Sequence, residues 1–378
     1  ALLNYLKSIR SENISKIEVI TTPPAKYEAQ GNSGLINIIL KKNPNLGFSG
    51  NINSGLTQRT YTNGSTNGTL NYQTENLSLS FKTTYIEGAK RSDERYSILG
   101  ASQNFSRSVR KDRWQDLTPS INASYKINKN SEVGMEYIFG HEKSGMDILN
   151  TTRNISSSLQ EQNLLTNTFH REKSPTHTFS TYYDLKLDSL GKKLSIAGNF
   201  YKNNNDTEVN FSTFAVADQT VQDVKTLSEI KPQIFSVQAD LELPYQFGTI
   251  ETGVKFNQFR NSADLKYFNL ENSQYLIDEE KGSVFDYQEE NYAAYGSFAK
   301  NFGDHWETKA GLRYENTVVK SSASNFSYGQ WFPSAFVSYK EEKNVFTLSY
   351  SRRINRSSMS NLNPFRWYEN PYSYSAGN

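Results

Sequence analysis

The chain has 378 residues, with 41 Lys and Arg against 39 Asp and Glu and a net charge of +2; it carries no electrostatic footprint for nucleic acid. It has no cysteine, which excludes a disulfide framework and a thiolate metal site, and no apolar run of the 18 or so residues a transmembrane helix needs. Hydrophobic residues make up only 36%, yet aromatics reach 13%, with 24 Tyr and 22 Phe. That aromatic load argues against disorder and leaves two readings open. One is a soluble β-protein. The other is a transmembrane barrel, in which only alternate residues meet lipid.

The opening ALLNYLKSIRSEN has no apolar core or cleavage site of a signal peptide, so the chain reads as a mature protein or a fragment. Residues Ile14 to Lys42 then run ISKIEVITTPPAKYEAQGNSGLINIILKK. A short β run (Ile17, Val19, Ile20) meets Pro23-Pro24. A polar turn follows from Ala25 to Gly34, then a second β run from Leu35 to Leu40, capped by Lys41-Lys42. Pro23 and Pro24 stiffen the approach to the turn. Gly31 and Gly34 permit a tight or left-handed backbone, with Lys26 and Tyr27 between the two pairs.

Beyond Lys42 the pattern predicts about thirteen strands, at 47–57, 66–74, 76–87, 113–127, 131–142, 175–188, 193–206, 229–243, 248–260, 289–301, 305–317, 331–341 and 344–353. Each is long enough to cross a bilayer when tilted. Short connections run Gln73 to Asn76, Asn128 to Asn130, Ser189 to Lys192, Pro244 to Phe247, Phe302 to Asp304 and Glu341 to Lys343. They alternate with long polar stretches, expected to be loops, at 88–112, 143–174, 207–228, 261–288 and 318–330. That rhythm is how an up-and-down outer-membrane barrel reads, with tight periplasmic turns and longer extracellular loops.

Strand faces separate chemically. Trp306, Ala310, Leu312 and Tyr314 oppose His305, Glu307, Lys309, Arg313 and Glu315. Ile250, Val254 and Phe256 oppose Glu251, Lys255 and Asn257. Leu117, Ile121 and Tyr125 oppose Asp116, Asn122 and Lys126, and Phe346, Leu348 and Tyr350 oppose Thr347, Ser349 and Ser351. A charged face suits a wet lumen or a plug and the apolar face suits lipid, although a sandwich alternates too. Strand 289–301 alternates too poorly to assign. Aromatics near strand ends (Trp114, Tyr137, Phe139, Tyr201, Tyr292, Trp306, Trp331, Phe332 and Tyr339) suit interface girdles.

Signals for chemistry are sparse. His141, His170, His177 and His305 have no metal-ligand spacing. Glu279-Glu280, Glu289-Glu290 and Glu341-Glu342 are adjacent pairs expected in loops or turns, pointing in different directions, unlike a separated acid/base pair across a cleft. No nucleophile, P-loop or dinucleotide motif appears. Arg352, Arg353 and Arg356 at the last strand read either as a basic patch for lipopolysaccharide phosphates or an anionic ligand, or as a solvated strand end.

The 14–42 segment resembles the end of the plug domain in TonB-dependent outer-membrane receptors, above all the Bacteroidetes group described as the outer-membrane β-barrel family. There the string IEVI–x–x–PPAKY–x–A–x–G–x–x–G–x–I–N–I–x–L–KK hands the chain from plug to barrel. Residues 348–378, LSYSRRINRSSMSNLNPFRWYENPYSYSAGN, resemble a recurrent stretch of the same receptors. The resemblance implies residues 1–43 as the C-terminal part of a plug and 44–378 as a partial barrel, about 13 strands of a presumed 22, hence a fragment of an all-β, antiparallel up-and-down transmembrane barrel. It implies a receptor and transporter, not an enzyme, that takes up an extracellular ligand such as a siderophore or oligosaccharide. Its energy would come from a TonB–ExbB–ExbD complex acting on a segment upstream of residue 1. Outer-membrane lipid and lipopolysaccharide are expected neighbours, and no cofactor is expected. The plug-turn candidates are Pro23, Pro24, Lys26, Tyr27, Gly31 and Gly34, in the strand pair that must shift for passage. A passive porin and a soluble or cell-surface β-sandwich binding module are the alternatives.

Overall fold

In the computed structural model the described residues are 14–20, 23–31, 34–40, 46–100, 102–217, 219–322, 324–342, 344–356, 367–370 and 373–375. Strands β1 (Ile14–Ile20) and β2 (Leu35–Leu40) pair antiparallel. One large sheet then contains β3 (Gly47–Gln58), β4 (Thr62–Gln73), β5 (Leu77–Ile98), β6 (Gln103–Lys126), β7 (Ser131–Ile155), β8 (Glu161–Lys186), β9 (Lys193–Asn203), β10 (Asn205–Ala215), β11 (Thr220–Ile230), β12 (Gln233–Tyr245), β13 (Gly248–Glu271), β14 (Gln274–Ile277), β15 (Ser283–Phe302), β16 (Trp306–Ser321), β17 (Asn325–Glu341) and β18 (Asn344–Ser351). β19 (Trp367–Asn370) and β20 (Ser373–Ser375) form a separate hairpin.

β9 and β10 are one crossing interrupted at Asn204, since both pair with β8 at successive levels. β11 and β12 are likewise one crossing, broken at Lys231-Pro232, where proline has no N–H for the ladder. With short β14 set aside as an appendage of β13, the sheet makes thirteen antiparallel passes, each beside the next in sequence. All thirteen expected strands have their counterpart. Among the described residues, β3 and β18 each pair on one side only.

The expected long loops are instead mostly strand. Ile98 pairs with Asn104, Ile155 with Glu161, Ala215 with Thr220 and Lys320 with Asn325, so the hairpins rise far above the predicted strand ends before turning. The reason is a reversed pattern. In these extensions Val209, Phe211, Val224, Leu265, Tyr267 and Phe285 are buried on the inner face, alternating with polar outward neighbours such as Glu208 and Asn210. Threonines at 166, 168, 213 and 226 are buried on the same inner face, a β-branched choice that fits a pleated surface. Period two persists while average polarity reads as loop.

Lower in the sheet the sign is opposite. Leu312 is 45% exposed, while Arg313 and Glu315 are 1% and 2% exposed. Leu117, Ile121 and Tyr125 point out while Asp116 and Ser120 are buried. Apolar residues outside and charges inside invert the rule for soluble domains and match a barrel in lipid. β15 proves regular as well. Asn291, Ala293, Tyr295 and Ser297 face in, and Tyr292, Ala294, Gly296 and Phe298 face out; small residues on both faces hid the alternation.

Two aromatic lines bound the apolar face. Phe139, Phe179, Phe200, Phe235, Phe256, Tyr292, Tyr314 and Trp331 follow one another across neighbouring passes, with ring centroids 5.0 Å apart for Phe256–Tyr292 and 4.8 Å for Tyr314–Trp331. At the tight-turn end lie Tyr245, Phe247, Phe298, Trp306 and Tyr339, with Trp306–Tyr339 at 4.9 Å. On β16 the stretch from Trp306 to Tyr314 is roughly 26 Å of strand, or about 20 Å of height at a tilt near 40°. That is close to the apolar band of an outer-membrane barrel. Of the expected girdle residues, Trp114, Tyr201 and Phe332 instead share the inner face. Their strand neighbours Gln115, Phe200 and Trp331 take the outer one.

Candidate functional site: the docked turn

Ile20 pairs with Leu35, so the β1–β2 ladder closes the base of the segment between them. Within it the Tyr27 N–H donates to the Pro24 carbonyl at 3.0 Å, closing a four-residue turn that opens on Pro24. Gly31 sits at φ +94°, a left-handed backbone that glycine adopts without steric cost. The turn lies on the inner face of β12, β13, β15, β16 and β17, where charged side chains were expected.

Small residues make the close approach. Ala25 and Ala29 are buried, and a Cβ placed on Gly311 of β16 would stand only 2.8 Å from the Ala25 methyl. Around this contact the polar groups are matched. Glu28 accepts from Lys255 Nζ at 2.5 Å and from Asn257 Nδ2 at 2.5 Å. Lys26 lies 3.5 Å from Asp240. The Ala29 N–H donates to Glu315 Oε1 at 3.1 Å. Glu315 also accepts from Arg313 Nε at 2.5 Å and pairs with Arg356. Arg356 Nε in turn donates to Tyr328 Oη at 3.1 Å.

A strap from the chain after β18 covers the other side. Ala29 O accepts from the Ile354 N–H at 3.0 Å, and the Gly31 N–H donates to Ile354 O at 3.0 Å, a single parallel bridge. Arg353 donates to the carbonyls of Glu28 at 2.9 Å, Gly31 at 3.1 Å and Gln30 at 3.3 Å. Burial works to raise the Glu28 pKa. The Lys255 charge and the hydrogen bonds from Lys255 and Asn257 outweigh it, and the carboxyl ends below its ordinary value.

Of the predicted residues, Pro23 is buried, Pro24, Lys26 and Gly31 are half-buried, and Tyr27 is exposed. These five belong to the docked turn. Gly34 is exposed just ahead of β2. Sequence reasoning missed Ala25, Glu28 and Ala29, although Glu28 is the only acidic residue between Pro23 and Gly34; it placed Lys255, Arg313 and Glu315 on the charged face without pairing them to the turn. The arginines at the last strand are not a free basic patch. Arg353 and Arg356 turn inward to the turn and Glu315, and Arg352 donates to Trp331 O at 3.2 Å while lying over the Phe332 ring. Glu289 and Glu290 lie in β15 rather than a loop. Glu289 accepts from Tyr287 Oη at 2.6 Å and Glu290 from Tyr292 Oη at 2.9 Å.

Among the described residues around the turn, no hydroxyl or thiol nucleophile stands against a base. The arrangement offers a dock: backbone and ionic contacts around two buried alanines.

Over residues 185–378, just over half of its length, the chain matches the family model described as the outer membrane protein beta-barrel family. No curated protein matches it. Among solved structures, the ferric enterobactin receptor PfeA of Pseudomonas aeruginosa in complex with enterobactin is 11% identical, with 91% of this chain and 80% of that chain covered and a TM-score of 0.19. The siderophore receptor PirA of Pseudomonas aeruginosa is 12% identical, with 90% and 83% covered and a TM-score of 0.18. Superpositions that loose say nothing of a shared site.

Proposed function

Because the chain belongs to the outer membrane protein beta-barrel family, and so to the outer membrane, we propose that it is part of a TonB-dependent receptor of the Bacteroidetes type. In this reading residues 1–43 end the plug and 44–378 form part of the barrel. Among the described residues β3 and β18 each pair on one side only, which supports further strands completing a barrel of about 22, because unpaired backbone groups are costly in lipid. The long hairpins point outward and bind an extracellular ligand, a siderophore, an oligosaccharide or a similar solute. TonB–ExbB–ExbD pulls on an upstream segment, the turn at 23–31 lifts from the inner face, and the ligand enters the periplasm.

The observation that carries this reading is the dock itself. A turn that comes from a strand pair outside the large sheet and is held against its inner wall by Lys255, Glu315 and Arg353 favours a plugged barrel over an open pore. Polar contacts hold the turn firmly when dry, yet exchange for water when it is pulled, so they suit an element that must move. The test is a tether. Glu28→Cys and Lys255→Cys are bridged by a short dimaleimide with a reducible centre in cells expressing the full-length protein. Growth is followed on sole iron or carbon sources, ferric siderophores and oligosaccharides in turn. The reading expects growth on one source to stop when bridged and return on reduction. Growth that is indifferent to the bridge on every source that requires this protein contradicts it.

A further inference from the structure

The outer face above the upper aromatic line carries a cluster of cations that neither the family nor the docked turn explains. Lys143 of β7 and Lys173 of β8 are register partners, and like charges directly opposite on a sheet repel. Neither has a carboxylate within ion-pair reach among the described residues. Beside them, Arg113 and Arg171 share the single carboxylate of Asp147. Lys111 Nζ lies 4.4 Å over the Tyr61 ring. Asp206 of β10 is the other register partner of Lys173, beyond ion-pair distance; Glu87 lines the adjoining cavity, and Glu208, opposite Arg171, is taken by Lys225 at 3.0 Å. Five cations thus share one ion-paired carboxylate, Asp147, and outnumber the acidic groups around them.

Their level is set by register. Lys111, Arg113 and Lys143 share the outward parity of Leu117, Ile121, Tyr137 and Phe139 on their own strands. Lys143 lies four residues beyond Phe139, and Lys173 six before Phe179. Those offsets place them roughly 10–15 Å above the aromatic line, where headgroup phosphates lie rather than acyl chains. The cluster borders an open cavity of about 1130 Å³ lined by Leu56, Tyr61, Tyr85, Lys111, Arg113 and Lys143. On the β3–β4 side Leu56, 83% exposed, and Tyr61 are its large side chains.

We propose that this surface binds a phosphorylated glycolipid of the outer leaflet. Its phosphate is held by Lys143, Lys173 and the Arg113–Arg171 pair, and its sugar or upper acyl portion lies against Leu56 and Tyr61. An anion between Lys143 and Lys173 relieves their repulsion, and the neighbouring guanidiniums present forked donors to phosphate oxygens. A lipid is the source rather than a free ion because the cations are contiguous with the lipid-facing surface and exposed Leu56 and half-buried Tyr61 stand beside them in the cavity. The inference rests on the reading that the long hairpins face outward.

The test uses full-length protein in phosphatidylethanolamine nanodiscs. Binding of bisphosphoryl lipid A is compared with that of its dephosphorylated form. Lys143→Gln with Lys173→Gln is expected to weaken lipid A binding about 30-fold, the effect of two surface lysines beside anionic lipid. Lys300→Gln, at the opposite end of the same face, should leave it unchanged, and dephosphorylated lipid A should bind poorly to every form. Equal binding of the two lipids, or of the double variant and wild type when both keep the same thermal midpoint, overturns the proposal. Displacement by millimolar inorganic phosphate overturns the lipid source. Orientation is read separately, by labelling Ser158→Cys with an impermeant maleimide on intact cells. Labelling there without lipid A selectivity sinks this proposal alone; no labelling until the cells are opened sinks the orientation beneath it.

Discussion

Glu315→Ala tests the dock at its most enclosed point. The Glu315 and Arg313 side chains are each 1% exposed, so water screens their interaction little. Removing one partner of a buried pair costs about 3–5 kcal/mol, because the other charge stays buried without compensation. Arg356 can retract toward solvent, but Arg313 is left with the Ala25 carbonyl at 3.5 Å. The Ala29 N–H loses its acceptor too, worth about 1 kcal/mol. Arg353 and Lys255 still hold the turn, so the loss appears as easier local opening rather than global unfolding. An opening cheaper by about 3 kcal/mol lowers hydrogen-exchange protection roughly 150-fold. The Ala29 and Gly31 amides should show that loss while those of β7 and β8 hold. Pairing Arg313→Met with Glu315→Leu should recover much of it, since matched apolar groups replace a buried pair at little cost. Protection at Ala29 within about three-fold of wild type, or a double variant as loose as the single, refutes the reasoning.

Gly311→Val should push the turn off the sheet through the 2.8 Å Ala25 contact, whereas Gly296→Val, with nothing within 4 Å of its Cβ, should not; a spin label on Tyr27→Cys becomes mobile only in the first. The same label reports acid. Because the Glu28 pKa is depressed, its ionic contact is complete above the ordinary carboxylate value of 4.5 and is lost as pH falls through the lower folded value. The label should therefore stay ordered from pH 7 to about 5 and loosen only in stronger acid, and Glu28→Gln should remove that dependence. Leu312→Arg, on the lipid face between the two aromatic lines, should cost about 2–4 kcal/mol in folding into vesicles. Asn316→Arg, higher on the same outer face, should cost less; equal costs would deny that these rows lie at different depths.

The thirteen crossings were legible because period two and turn residues coincide at the tight ends: β4 stops at Gln73, β12 at Tyr245 and β15 at Phe302, beside the predicted turns. The far ends were not, since Val209 and Phe211 sit on the face opposite to that of the lipid-facing residues below them. A reader tracking one apolar face sees the signal vanish where it changes side. Phe332 and Tyr201 were misplaced for a related reason, as aromatic identity alone does not fix parity. The turn was visible from Pro23-Pro24 and its glycines. Its partners were not, because Lys255, Glu315 and Arg353 lie more than 200 positions away and only register brings them to Glu28 and Ala29. Arg353 and Arg356 looked like surface charge because nothing local reveals an inward neighbour.

The most direct test of the account is zero-length carbodiimide coupling in intact cells expressing the full-length protein, read by mass spectrometry at Glu28 and Lys255, which touch at 2.5 Å. The account predicts a Glu28–Lys255 isopeptide in cells treated with a protonophore. Its yield should fall in energised cells given the nutrient whose use the tethered variant blocks. No such isopeptide in resting cells would contradict the dock, and a yield indifferent to energy and nutrient would contradict its release.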